Sequence, residues 1–377
     1  MKQLRTALAL SLPLSLLIVG CNTKPAVTES DKTVSEQLFE RLDTLRGHGY
    51  MVGHQDDPFY GLTWEYQQDS SDVRNVCGDW PAVMGFEVGG IEMGDAKNLD
   101  SVPFDVMRRE IIRHHERGGI VTISWHPRNP KTNAPGQGQT FPAGSAWDVS
   151  DTTVVASILD PSTPQHELFQ VWMQRMSDFL ASLKTADGDA VPVIFRPWHE
   201  NSGSWFWWGK KLCTADEYKA LWNMLQDKLN ADSLSNLLWA YSPNMSANLT
   251  EEQFMERYPG DDRVSLVGID GYQWAPTDEA KEQYMQDLSQ NLTMVCNFAK
   301  RHGKIAALTE CGLKNLTDPT WWTSTLKPVT DRYDISYFLF WRNYSEEWFG
   351  PSPVKPDAQY FVDLYNADNT LFLRDIQ

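Results

Sequence analysis

Cysteine is scarce, at five in 377 residues, and no two show the C-x-x-C spacing of a metal or redox site. Positive charge is also short: 33 Lys and Arg stand against 50 Asp and Glu, for a formal net charge of −17. That balance argues against a nucleic-acid partner, because phosphate binding runs on a surplus of cations. It suits neutral polymers better than anionic ones. No glycine-rich phosphate loop follows any candidate strand, which counts against a nucleotide-binding open sheet. The apolar stretch at 8–19 is shorter than the ~20 residues a spanning helix needs. Internal repeats and low-complexity tracts are missing as well.

What stands at the start reads as targeting. Lys2 and Arg5 precede the apolar stretch, and Ile18-Val19-Gly20-Cys21 resembles a bacterial lipobox. Residues 1–20 are expected to be a signal peptide, Cys21 the lipidated first residue, and polar 21–35 a tether. No obviously acidic run follows Cys21, so an outer-membrane-type lipoprotein facing the periplasm is expected, touching the membrane only through its lipid. The other cysteines, Cys77, Cys213, Cys296 and Cys311, show no evident pairing.

The remainder, 36–377, is expected to be one catalytic domain, and at 41% hydrophobic the chain has enough for a substantial core. Eight short apolar runs predict strands at 50–55, 82–87, 120–126, 191–200, 237–242, 265–272, 305–310 and 336–342. Most are near-continuous, as strands buried on both faces are. Helical patterns separate most of them: Phe104, Met107 and Ile111 before Gly118, and Leu168, Trp172 and Met176 after Thr163-Pro164. Thr214 with Glu217 predicts a capping box, and a pattern from Met285 runs to Gly303. Eight strands with intervening helices predict a (β/α)₈ TIM barrel. The long polar segment 127–163 after the third strand predicts a wall of the cleft at the barrel mouth.

Two strings end such strands on a glutamate: FRPWHEN at 195–201 and LTECG at 308–312. Glu200 and Glu310 would meet at one mouth, on the fourth and seventh strands. Two carboxyl groups about 5–5.5 Å apart, one acid and one ionised, are what cleavage of an acetal bond with retention requires. Regular alternation would aim Arg196, Trp198 and Glu200 to one face, with Arg196 under the carboxylates, paired with Glu310 or with Asp270. Asp270 and Tyr272 share a face, and Tyr272 is placed to donate to the nucleophile. His54, His126 and His199 sit at strand ends; without His-x-His spacing they read as sugar-hydroxyl ligands rather than a metal site. Trp205, Trp207, Trp208, Trp274, Trp341 and Trp348 predict a stacking rim, among 16 tryptophans in all.

The ordered strings Gly53-His54-Gln55-Asp56-Asp57-Pro58, Ser124-Trp125-His126-Pro127, Arg196-Pro197-Trp198-His199-Glu200, Asp270-Gly271-Tyr272, Thr309-Glu310 and Trp341-Arg342 resemble a family 26 glycoside hydrolase. These are retaining barrels of the 4/7 superfamily, dominated by β-1,4-mannanases. The resemblance implies Glu200 as acid/base and Glu310 as nucleophile. It also implies sugar contacts by His126, His199, Trp205 and Trp341 and orientation of the nucleophile by Tyr272; Asp270, Arg342 and His54 are expected to join Tyr272 among the substrate-binding residues, with Arg196 in support. No cofactor is implied. The expected substrate is a neutral β-mannan, the expected state a monomer. A β-1,3-xylanase, a mixed-linkage β-glucanase and a non-catalytic glycan-binding lipoprotein remain alternatives. The family pattern does not set the 128–163 and 205–208 segments, so endo and exo action both stay open, with mannobiose the expected main product.

Overall fold

Residues 32–133 and 141–377 are described by the structure, a computed structural model. Cys21 and the signal segment lie outside them, as does 134–140 of the long loop. The first helix, Val34–Arg46, begins slightly before the expected end of the tether. Thr33 caps it in a capping box with Glu36.

Eight parallel strands close on themselves in sequence order: β1 (Tyr50–Gln55), β2 (Val83–Glu87), β3 (Ile120–Trp125), β4 (Val193–Pro197), β5 (Leu237–Tyr241), β6 (Leu266–Gln273), β7 (Ile305–Leu313) and β8 (Tyr337–Phe340). Pairing of Met51 with Tyr337 through His54 with Phe340 makes the closure. This is the expected (β/α)₈ barrel. A short strand, Thr370–Leu371, adds beside β1.

Residues alternate between two apolar layers. Met51, Ile120, Ile194, Leu238, Leu266 and Ile305 fill the barrel. Leu38 and Leu42 of the first helix close the end where the strands begin. Val52, Phe86, Ile123, Phe195, Ile269 and Leu308 point outward under the helices. The helices start and stop where their sequences dictate. Thr163 accepts from His166 N–H ahead of Pro164–Ala181, and the Thr214/Glu217 box opens Ala215–Ala231. Gly303, at φ 64°, ends Asp278–His302 in the left-handed conformation that favours glycine. Cys77, Cys213, Cys296 and Cys311 are free thiols, and Cys311 is packed in the outer core.

Candidate active site

The carboxyl ends of the strands surround a cleft of about 590 Å³. Two departures from regular strand geometry aim its glutamates. Along β7, Ala306 and Leu308 face outward and Ile305 and Ala307 inward, so strict alternation would send Glu310 outward. A bulge intervenes: the β6–β7 register shifts between Ile269 and Asp270, leaving Thr309 as the extra residue and Asp270 opposite Glu310. Thr309 Oγ1 donates to Asp270 Oδ1 at 2.6 Å. Gly268 makes room for this, since a Cβ there would stand 2.5 Å from the Thr309 side chain. Glu310 thereby turns into the barrel.

On β4 the strand ends at Pro197, earlier than expected, and Trp198 and Glu200 adopt φ of 53° and 51°. Non-glycine residues take this region only when their surroundings impose it. Here the Tyr218 hydroxyl donates to Trp198 O, Trp208 Nε1 to His199 O, and Glu200 N–H to Ser242 O. The expectation that Arg196, Trp198 and Glu200 share a face is therefore corrected. Trp198 swings outward to pack on Trp125 and Phe169, and His199 and Glu200 both line the cleft.

Arg196 is buried inside the barrel and serves both partners weighed for it. Its Nη1 donates to Asp270 Oδ2 at 2.8 Å and its Nη2 to Glu310 Oε1. Tyr272 donates its hydroxyl to Glu310 Oε2 at 2.6 Å. Glu310 thus accepts bonds on both oxygens, one of them from a cation. Glu200 has a different setting. Among the described residues its one side-chain donor is Trp205 Nε1, 2.6 Å from Oε2. Burial, then the Glu310 charge, push its pKa up to about 7. Glu200, Asp270 and Glu310 each bring an oxygen within 4.8 Å of the others. The cleft therefore holds an acid whose pKa is pushed up to about 7 beside a carboxylate held by a buried guanidinium and a phenol.

His126 and His199 meet edge to face over the same floor, with Nε2 atoms 3.0 Å apart. Burial opposes charge on His126, but Glu87 outweighs it and raises the pKa. Burial, Arg196 and His126 together hold His199 well below the usual imidazole range. Trp205 and Trp341 line the cleft, and Trp274, 63% exposed, stands beside Tyr272.

Several expected positions fall elsewhere. His54 is buried on the outer side of β1, bonded to Asp57 at 2.6 Å and packed on Phe340, so it does not line the cleft. Its neighbours Gly53 and Gln55, by alternation, take the inner face. Arg342 pairs with Asp100 at 2.9 Å in an adjoining depression of about 460 Å³ with Tyr60, Tyr66 and Tyr344. Trp207 and Trp208 are fully buried beneath the cleft rather than on its rim, and Trp348 packs on the core under Lys355. Residues absent from the sequence reading include Trp147, Phe206, Asn244 and Phe349 on the cleft wall and Glu87 beneath it. Glu87 carried a readable signal, since it ends a predicted strand on a carboxylate as Glu200 and Glu310 do.

A closed parallel barrel with carboxylates at the ends of β4 and β7, clasped by Arg and Tyr, is the framework of a glycoside hydrolase. Residues 27–360 match glycosyl hydrolase family 26, and the chain belongs to that family. It is similar to the structure of a GH26 β-mannanase from Bacteroides ovatus, BoMan26A, at 43% identity and a TM-score of 0.84, covering 91% of this chain and 95% of that one. A modular endo-β-1,4-mannanase from Cellulomonas fimi is 28% identical with a TM-score of 0.78, covering 93% and 78%. A mannan endo-1,4-β-mannosidase of Bifidobacterium adolescentis is 30% identical over 336 residues, 83% of this chain and 32% of that protein. The chain spans about a third of that relative, and 53% and 61% of those from Bacillus subtilis and Thermothelomyces thermophilus.

Proposed function

We propose that the protein is a retaining β-1,4-mannanase. The observation that carries this is the pair Glu200 and Glu310, within 4.8 Å and in opposite electrostatic settings. In the first step Glu310 attacks the anomeric carbon while Glu200 gives its proton to the leaving oxygen, forming a glycosyl-enzyme. In the second, Glu200 as carboxylate takes a proton from water, which displaces Glu310. Arg196 and Tyr272 hold and aim the Glu310 carboxyl group, and Tyr272 keeps its proton because burial and Glu310 raise its pKa. Trp341 and Trp205 offer faces to the sugars on either side of the bond, and His126 and His199 offer ring nitrogens to hydroxyls.

Mannan as substrate rests on the activities of the relatives. Incubation with mannan, galactomannan, xylans and lichenan, followed by chromatography of the products, tests it. Turnover of xylan or lichenan in preference to mannan would move the assignment within the family, and no turnover of any would leave a glycan-binding protein. Mannobiose is the proposed main product, because Trp147, from the long segment after β3, walls the cleft against His126 at a ring separation of 5.2 Å. An early steep fall in galactomannan viscosity with few new reducing ends would instead indicate internal cutting. Anchoring through lipid on Cys21, on the periplasmic side, is the companion proposal. It rests on the Gly20-Cys21 pattern, and acyl labelling lost in Cys21→Ser tests it.

A further inference from the structure

We infer that Glu87, at the end of β2, is a positioning residue for this reaction: through His126 it sets the ring orientation and the proton placement of the His126–His199 pair beside Glu310. The inference builds on the glycosidase reading above.

Glu87 is fully buried and does not line the cleft, yet its carboxylate accepts four hydrogen bonds. The backbone N–H groups of Gly89 and His126 donate to Oε1 at 2.6 and 2.8 Å. Ser124 Oγ donates to Oε2 at 2.7 Å, and His126 Nδ1 lies 2.7 Å from the same atom. An acceptor set this full commits Glu87 to its anion, and that anion requires a proton on His126 Nδ1. Three of the four donors lie on the 124–126 stretch, so orientation and protonation are specified together.

The consequence passes to His199. Only one hydrogen fits between the two Nε2 atoms 3.0 Å apart. Burial, the Arg196 charge and His126 itself disfavour a proton on His199. His126 therefore donates from Nε2 and carries the cation, while His199 Nε2 accepts, 4.0 Å from Glu310 Oε1. The titratable and charged groups facing His126 are Glu87 on β2, Asp100 after it, His199 and Glu200 after β4, and Glu310 on β7, with Arg196 behind His199. Counted together, the Glu87–His126 pair is neutral. It lies beside Glu310, where the anomeric carbon becomes positive in the transition state. Without the Glu87 anion His126 loses the partner that favours its cation, and the ring loses the acceptor that orients it.

The test is ¹⁵N NMR of the histidine side chains in the full chain without substrate, alongside kinetics. In the wild type at pH 7, His126 should show both nitrogens protonated and His199 one. In Glu87→Gln, His126 should be neutral at that pH, with kcat down roughly 10–100-fold and KM changed less, the range that supporting hydrogen-bond partners carry. Glu87→Asp, which keeps the charge, should restore the imidazolium signature. On a His126→Gln background, adding Glu87→Gln should cost little more, because both act through one ring. An unchanged His126 titration in Glu87→Gln, or multiplicative losses in the double variant, would overturn the inference. So would a neutral His126 in the wild type, a result available even where the Glu87→Gln variant fails to fold. The spectra need no substrate, so they stand apart from any failure of the mannanase reading.

Discussion

Replacing Glu310 by glutamine should lower the pH at which Glu200 ionises without returning it to the ordinary carboxylate range. In the wild type that midpoint is pushed up from 4.5 to about 7, first by burial and second by the Glu310 charge. The rise corresponds to roughly 3 kcal/mol disfavouring the ionised form. Two carboxylates whose oxygens come within 4.8 Å repel by about 1 kcal/mol in water and about 3 kcal/mol at an effective dielectric near 20, and in a cleft open to water the Glu310 contribution falls between these limits, below that of burial. The Trp205 bond and the charges of His126 and Arg196 offset part of that. The Glu310→Gln substitution removes the repulsion and leaves the burial, so the new midpoint should fall between the two values. Carboxyl ¹³C NMR on glutamate-labelled protein measures it, with the Glu200 signal assigned by its loss in Glu200→Gln. An unmoved midpoint would show that the two groups do not sense each other, and a fall to the ordinary value would show that burial does not outweigh the Trp205 bond and the His126 and Arg196 charges. Either result refutes the acid and nucleophile settings argued above.

Trp205→Phe removes the bond that favours Glu200's carboxylate, so the alkaline limb of kcat/KM should move to higher pH; a move to lower pH would contradict the contact. Tyr272→Phe takes one donor from Glu310 and should cut kcat by roughly 100-fold, as loss of a donor to a catalytic anion does, with thermal stability little changed. Because Glu200's folded pKa is raised, wild-type stability should fall as pH climbs from about 4.5 to about 7. Glu200→Gln should therefore melt higher than wild type at pH 8 and equally at pH 4, by less than the full shift because Glu200 partly reaches cleft water. Trp274→Ala, at an exposed platform, should raise KM for oligosaccharides roughly fivefold, the worth of about 1 kcal/mol of aromatic contact, with an unchanged melting temperature.

The barrel was legible in the linear chain because its signals are local. Eight apolar runs, Thr163-Pro164, the Thr214/Glu217 box and Gly303 each act within a few residues, and each element formed where its own residues specify it. The position of Glu200 and Glu310 at strand ends was legible for the same reason. Their aim was not. Glu310 faces the cleft only because β7 gains a residue against β6, a property of two strands paired 40 residues apart. Trp198 leaves the barrel, and Glu200 enters the cleft, because left-handed turns at both are held by Tyr218, Trp208 and Ser242 from elsewhere in the chain. His54 went astray through alternation: one step along β1 separates an inner face from an outer one, and composition alone does not say which residue starts the count. Trp207 and Trp208 look like rim aromatics in sequence and are floor in the fold, since only packing decides which face of a loop meets water. Strand, helix and cap depend on neighbours in sequence; which carboxylate is acid and which is anion depends on Arg196, Tyr272, Trp205 and the depth of the cleft, which only the closed barrel brings together.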